Sequence, residues 1–334
     1  MDSGMTTLEA NALPMNALAT EIADDLEEHA PLLRVRAQRL SGGARVIDAG
    51  VEVDGGYDAG LALAEICMGG LGSVAYTPLQ IGGVSWSGVT VWTDHPAVSC
   101  MASQYAGWAI SVDKFFAMGS GPLRAHARVE RELFDKLGYA EEATHGVLVL
   151  EGRTLPTDAV AAWVAEKARL EPSQLTFVVA PTASLAGGVQ ISARILETGL
   201  HKMETIGFDV RRIVSAIGTA PVPPVAKNDL RAIGRTNDCI LYGGQARYTI
   251  RASDTELAEL VEQVPASASR DYGTPFYEIF QRYEGDFYKI DPLLFSPAEV
   301  WLTSTESGRT FHAGRLDPEV LTASCYGTAA SGKR

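Results

Sequence analysis

Two side chains in the segment PTASLAGGVQISARILETGLHK, residues 181–202, have the types and spacing for acid–base work: Arg194 and Glu197, three residues apart. A carboxylate steadied by a guanidinium can take and return a proton. The same pair on a solvated helix is an ion pair worth a few tenths of a kcal/mol. On a 3.6-residue period, Leu185, Val189, Ala193, Leu196 and Leu200 make an apolar stripe. Gln190, Arg194, Glu197 and His201 make a second, polar one on the same predicted helix. Periodicity alone favours the surface ion pair.

Two features pull toward chemistry. The predicted helix begins among small residues (Ala183, Ser184, Ala186, Gly187, Gly188), which leave room for a ligand or a second backbone. It also follows the apolar run TFVVA, so it starts near the C-terminal end of a strand, where open α/β sheets bind ligands. Ser184 is placed to cap this helix.

Other chemistries lack their signatures. The glycine groups at 69–72, 119–121, 187–188 and 243–244 do not give the G-x-G-x-x-G turn of dinucleotide sites, and no G-x-x-x-x-G-K-[ST] loop occurs. The six histidines show neither H-x-H nor H-E-x-x-H spacing, so no metal site is expected. A G-x-S-x-G nucleophile elbow is missing.

The elements that must position Arg194 and Glu197 come from a chain of 334 residues with 46% hydrophobic content, enough for a substantial core. Helical and strand patterns alternate through the middle and mix toward the ends. The expected fold class is therefore α/β, α+β at the ends, in layered sheets and helices. Strands are expected at HGVLVLEG, QLTFVVA and RRIVSAIG, and single helices at HPAVSCMASQYAGW and RAHARVERELFDKLG. The proline-rich stretch near 219–228 reads as a crossover or linker. Residues 1–14 read as an extension, 15–325 as the folded body and 326–334 as a tail.

A formal charge of −13 argues against nucleic-acid and anionic-membrane partners. No apolar run approaches the ~18 residues of a membrane helix, and the first 33 residues carry no Lys or Arg to open a secretion signal. The four scattered cysteines read as reduced core residues, and the expected compartment is the cytoplasm.

The opening segment, together with GFDVRRIVSAIGTAPVPPV, GRTNDCILYGG, FFAMGSGPLRA, TDHPAVSCMASQYAGW and EICMGGLG, resembles the methenyltetrahydromethanopterin cyclohydrolases. The resemblance runs from about residue 15 into the C-terminal region. It implies two α/β-type domains with a cleft between them and a homotrimeric assembly. It also implies a hydrolase without cofactor or metal, acting on the cyclic amidinium of a 5,10-methenyl-tetrahydropterin. In the family's A-R-x-x-E-T-G segment, the catalytic pair falls on Arg194 and Glu197. Further expected contacts to the flat, amide-rich pterin are Ser120, Gly121, Ser184, Gly187, Gly188, Gln190, Asn237 and Asp238. The rival readings are the same reaction on a tetrahydrofolate, and a pterin-binding protein without catalysis.

Overall fold

The computed structural model describes residues 13–286 and 289–327. The expected extension at 1–14 and tail at 326–334 fall largely outside them. In chain order the strands are β1 (Arg36–Arg39), β2 (Arg45–Asp48), β3 (Ser73–Ile81), β4 (Val84–Thr93), β5 (Trp108–Val112) and β6 (Phe115–Ser120). Then come β7 (Gly146–Glu151), β8 (Leu175–Ala180), β9 (Ile213–Pro221), β10 (Gln245–Ile250), β11 (Glu299–Ser304) and β12 (Thr310–Gly314). The chain divides into two units, Met1–Ser73 with His95–Gln190, and Val74–Asp94 with Ile191–Arg334. Each has its own six-stranded sheet, which is the α/β layering expected from the sequence.

In the first unit the sheet order is β1-β2-β8-β7-β6-β5, with β2, β8 and β7 parallel at its centre. Parallel strands are covered on both faces, so β7 up to its terminal Glu151, and β8 apart from Thr176, are apolar rather than alternating. Successive side chains still part to opposite sides. Val147, Val149, Val178 and Ala180 pack with Ala19, Ala23 and Leu26 of helix Met15–Glu28 and with Leu63 and Ile66 of helix Tyr57–Cys67. Leu148, Leu150, Phe177 and Val179 pack with Val160, Ala161 and Val164 of helix Asp158–Ala168. Each such Val, Leu, Ile or Phe side chain, fully buried, stabilises by about 1.5–3 kcal/mol before its entropy cost.

The second unit orders its strands β12-β11-β10-β9-β4-β3, with β10 and β11 parallel and the pairs β11–β12, β10–β9 and β9–β4 antiparallel. Residues 219–221 lie within β9, and the Val222 amide donates to the Ser87 carbonyl at 2.8 Å. A core of Trp86, Cys239, Tyr242, Phe276, Ile279 and Leu321 joins helices Asp229–Gly243, Phe276–Arg282 and Pro318–Tyr326. All four cysteines are buried and none is in a disulfide. The Cys239 and Cys325 sulfurs lie 3.9 Å apart, and burial raises the Cys239 thiol well above its ordinary range.

Three helices depart from expectation. HPAVSCMASQYAGW forms a π-helix, Ala97–Gln104. The fully buried Arg124 donates to its Met101 and Ala102 carbonyls at 2.5 and 2.9 Å, a cation bridging two acceptors of the widened turn. RAHARVERELFDKLG splits into Pro122–Ala127 and Arg131–Leu137, because Arg128 turns left-handed at φ 50°. The third departure is at the candidate site itself.

Candidate active site

The predicted single helix over 181–202 is two helices, Leu185–Ser192 and Ile195–Thr205. At the junction the Arg194 amide donates to the Ile191 carbonyl, three residues back rather than four. The Ser192 hydroxyl donates to the Pro221 carbonyl at 2.9 Å, which holds the broken turn against the end of β9. Helical bonding resumes with the Thr198 amide on the Arg194 carbonyl. Arg194 is thus the N-cap residue of the second helix, and Glu197 stands in its first turn. A carboxylate is favoured there by the positive end of the helix dipole.

The break also changes the polar stripe. Gln190, Arg194 and Glu197 are 1%, 8% and 6% exposed, so the surface ion-pair reading that periodicity favours does not hold. His201, further along, is half-buried. Period alone cannot distinguish a solvated face from a buried polar one, because it records spacing and not what lies opposite.

The second helix is pinned from below. The buried Tyr248 phenol on β10 donates to the Leu196 carbonyl at 3.0 Å. A Cβ at Gly199 would lie 2.0 Å from that phenol oxygen, so this position must stay bare. One turn on, the buried Lys202 ammonium donates to the Leu293 carbonyl and, at 3.5 Å, to that of Pro265. Burial pushes its pKa down to about 8, against the pull of Asp291.

In the first unit, Ser184 is the cap expected of it. Its hydroxyl accepts the Gly187 amide at 3.0 Å and donates to the Pro181 carbonyl at 2.7 Å. The glycine pair divides in function. A Cβ on Gly187 would fall 1.9 Å from the Pro181 oxygen, whereas one on Gly188, itself buried, would meet nothing within 4 Å. Gly187 is required by close packing, and Gly188 borders open space. Gly121 stands at φ 100° before helix Pro122–Ala127, its amide on the Ser103 carbonyl at 2.8 Å. The neighbouring Ser120 hydroxyl lies 3.5 Å from the Cys67 sulfur, and that sulfur is 3.8 Å from Gln190 Oε1.

This polar chain ends on a residue that the sequence reading passed over. Glu151, the last residue of β7, accepts the Thr182 hydroxyl on one carboxylate oxygen and the Gln190 amide, at 3.4 Å, on the other. The signal available was a lone carboxylate closing an otherwise apolar buried strand.

Asn237 and Asp238 are engaged differently, within the second unit. The Asn237 amide donates to the Ile233 carbonyl of its own helix at 2.8 Å. Asp238 is fully buried and accepts the Phe276 amide at 2.8 Å and the Ser324 hydroxyl at 2.5 Å. Burial pushes its pKa up to about 7, although both donors work in the opposite direction.

Comparison with known proteins adds to this geometry. A family model described as Cyclohydrolase (MCH) matches residues 14–325. A methenyltetrahydromethanopterin cyclohydrolase from Methylobacterium organophilum is 47% identical over 316 residues, 93% of this chain and 97% of that one. One of the same name from Methylobacillus flagellatus is 46% identical, over 92% of this chain and 94% of its own length. Another, from Methanococcoides burtonii, is 41% identical, over 92% and 97%.

Proposed function

The chain belongs to the cyclohydrolase (MCH) family, and on that premise we propose that it hydrolyses 5,10-methenyl-tetrahydromethanopterin to the 5-formyl compound, reversibly, in one-carbon metabolism. The observation that carries this reading is the burial of Glu197 and Arg194 together at the helix break. Solvated, the pair would be worth little; withdrawn from bulk water, its charges act at lower effective dielectric.

The methenyl carbon is part of a delocalised amidinium cation and is electrophilic without further activation. Water oxygen adds to it while Glu197 takes one water proton, which leaves a neutral hydroxyl adduct. Glu197 then gives that proton to N10. The C–N10 bond breaks with its electron pair on nitrogen, and the adduct hydroxyl loses its proton to become the formyl carbonyl. One proton is released per turnover. Arg194 orients Glu197 and stabilises the partial negative charge that grows on the adduct oxygen as its hydroxyl proton leaves.

Among the expected substrate contacts, the open space beside Gly188 and the polar chain of Ser120 and Gln190 support a binding role. Gly121 belongs with them through its place beside Ser120. Ser184 and Gly187 shape the turn that presents them. For Asn237 and Asp238, the bonds within the second unit support a structural role. The pterin is the substrate and no separate cofactor enters this scheme. The resemblance over 15–325 supports a homotrimer, which sedimentation of the purified protein tests, and the four buried cysteines without a disulfide support a cytoplasmic location.

The methenyl chromophore in the ultraviolet gives the assay. Glu197→Gln should lower kcat by about 10²–10⁴-fold while the dissociation constant for substrate stays close to that of the unaltered protein. Turnover near the original rate would remove Glu197 from the mechanism.

A further inference from the structure

Two strands of the first unit's parallel centre end in a carboxylate, and the two carboxylates are used differently. Asp48 closes β2, and its oxygens accept the amides of Gly50, Val51 and Glu52 at 2.7–2.9 Å. Its acceptor capacity goes into shaping the loop that follows. Glu151 closes β7 opposite Ala180, the last residue of β8, with the Pro181–Ser184 turn next in the chain. Among the described residues its oxygens take two donors, Thr182 and Gln190, and both are neutral. A carboxylate offers about four lone-pair directions, so about half of its capacity remains.

The crevice beyond the carboxyl ends of parallel strands is the usual ligand position in an open α/β sheet. A half-buried anion held there by neutral side chains is suited to a ligand that brings two N–H donors side by side. The pterin ring has that edge: N3–H and the exocyclic 2-amino group form a parallel fork, as a guanidinium does toward carboxylate. Thr182 and Gln190, one on each oxygen, fix the plane of the carboxylate before the ligand arrives.

We propose that Glu151 is the specificity residue that binds the 2-amino-pyrimidinone edge of the pterin through a bidentate carboxylate. This rests on the pterin reading above. Glu151 recognises the ring that does not react and has no part in proton transfer, so its loss acts on binding.

The test pairs the substrate with two stable fluorescent probes, pterin and lumazine, the second carrying a 2-oxo group in place of the 2-amino group. The unaltered protein should bind pterin about 10- to 100-fold more tightly than lumazine, the range expected for a charge-assisted bond lost and an acceptor set against an acceptor. In Glu151→Gln that preference should collapse, and KM for the methenyl substrate should rise by a similar factor with kcat within about threefold. Glu197→Gln should leave the pterin preference intact. Equal binding of the two probes by the unaltered protein would overturn the assignment even if no Glu151 variant folded. So would a Glu151→Gln protein with KM and probe preference unchanged. If the unaltered protein turns over the methenyl substrate but shows no preference, only the Glu151 assignment falls. If it neither turns over substrate nor binds pterin, the pterin reading falls with it.

Discussion

The phenol of Tyr248 reaches the carbonyl of Leu196 at 3.0 Å through a gap that exists because residue 199 has no side chain. Leu196 immediately precedes Glu197, so this bond sets the first turn on which the proposed base stands. Tyr248→Phe should lower stability by about 1 kcal/mol and reduce kcat by about tenfold, with KM nearly unchanged. Gly199→Ala should do more, because its Cβ would displace the phenol. In a double-mutant cycle the two changes should be strongly non-additive, with Tyr248→Phe partly relieving Gly199→Ala. Additive losses in kcat would show that the contact does not position Glu197.

The two adjacent glycines give a second, sharper contrast. Gly188→Ala places a methyl group in open space and removes backbone freedom from a helix, so stability should rise by about 0.5–1 kcal/mol. If the pterin occupies that space, KM should rise by about tenfold with kcat less affected. Gly187→Ala, with its Cβ against the Pro181 oxygen, should instead destabilise the fold by several kcal/mol or prevent its recovery. Thermal unfolding and steady-state kinetics on the pair separate room for ligand from room for backbone.

Asp238 predicts a pH dependence. Its folded pKa of about 7 lies above the ordinary 3.8, so between these values the folded chain holds a proton that the unfolded chain has released. Stability from this group is present at low pH and declines as pH rises through about 7. Asp238→Asn keeps an acceptor for the Phe276 amide and a polar partner for Ser324 without titrating. Relative to this variant, the urea midpoint of the unaltered protein should fall from pH 5 to pH 8. The variant's kcat/KM should stay within about threefold of the original. A loss of more than about 100-fold in a folded variant would return Asp238 to the substrate site.

Much of this was legible in the chain. Apart from Glu151 and Thr176, β7 and β8 are apolar without alternation, as parallel strands must be, and their alternate residues do enter separate cores. Ser184 read as a cap and is one. The helix break at Ala193–Arg194 was not legible, because the apolar stripe continues across it. What interrupts the helix is Ser192 reaching Pro221, a partner 29 residues away. The π-helix was hidden for the same reason: the side chain bonded to its carbonyls, Arg124, lies beyond its end. Glu151 carried no motif, and its importance appears only when Thr182 and Gln190 are seen on its two oxygens.

The buried thiols turn the molecule into its own chronometer. Cys67 and Cys100 belong to one unit, Cys239 and Cys325 to the other, and all four are shielded in the folded chain. A water-soluble thiol reagent can therefore mark a unit only at the moment it opens. Mass-resolved labelling over time would record two independent clocks, and their ratio would reveal whether the halves of the enzyme come apart together or in turn.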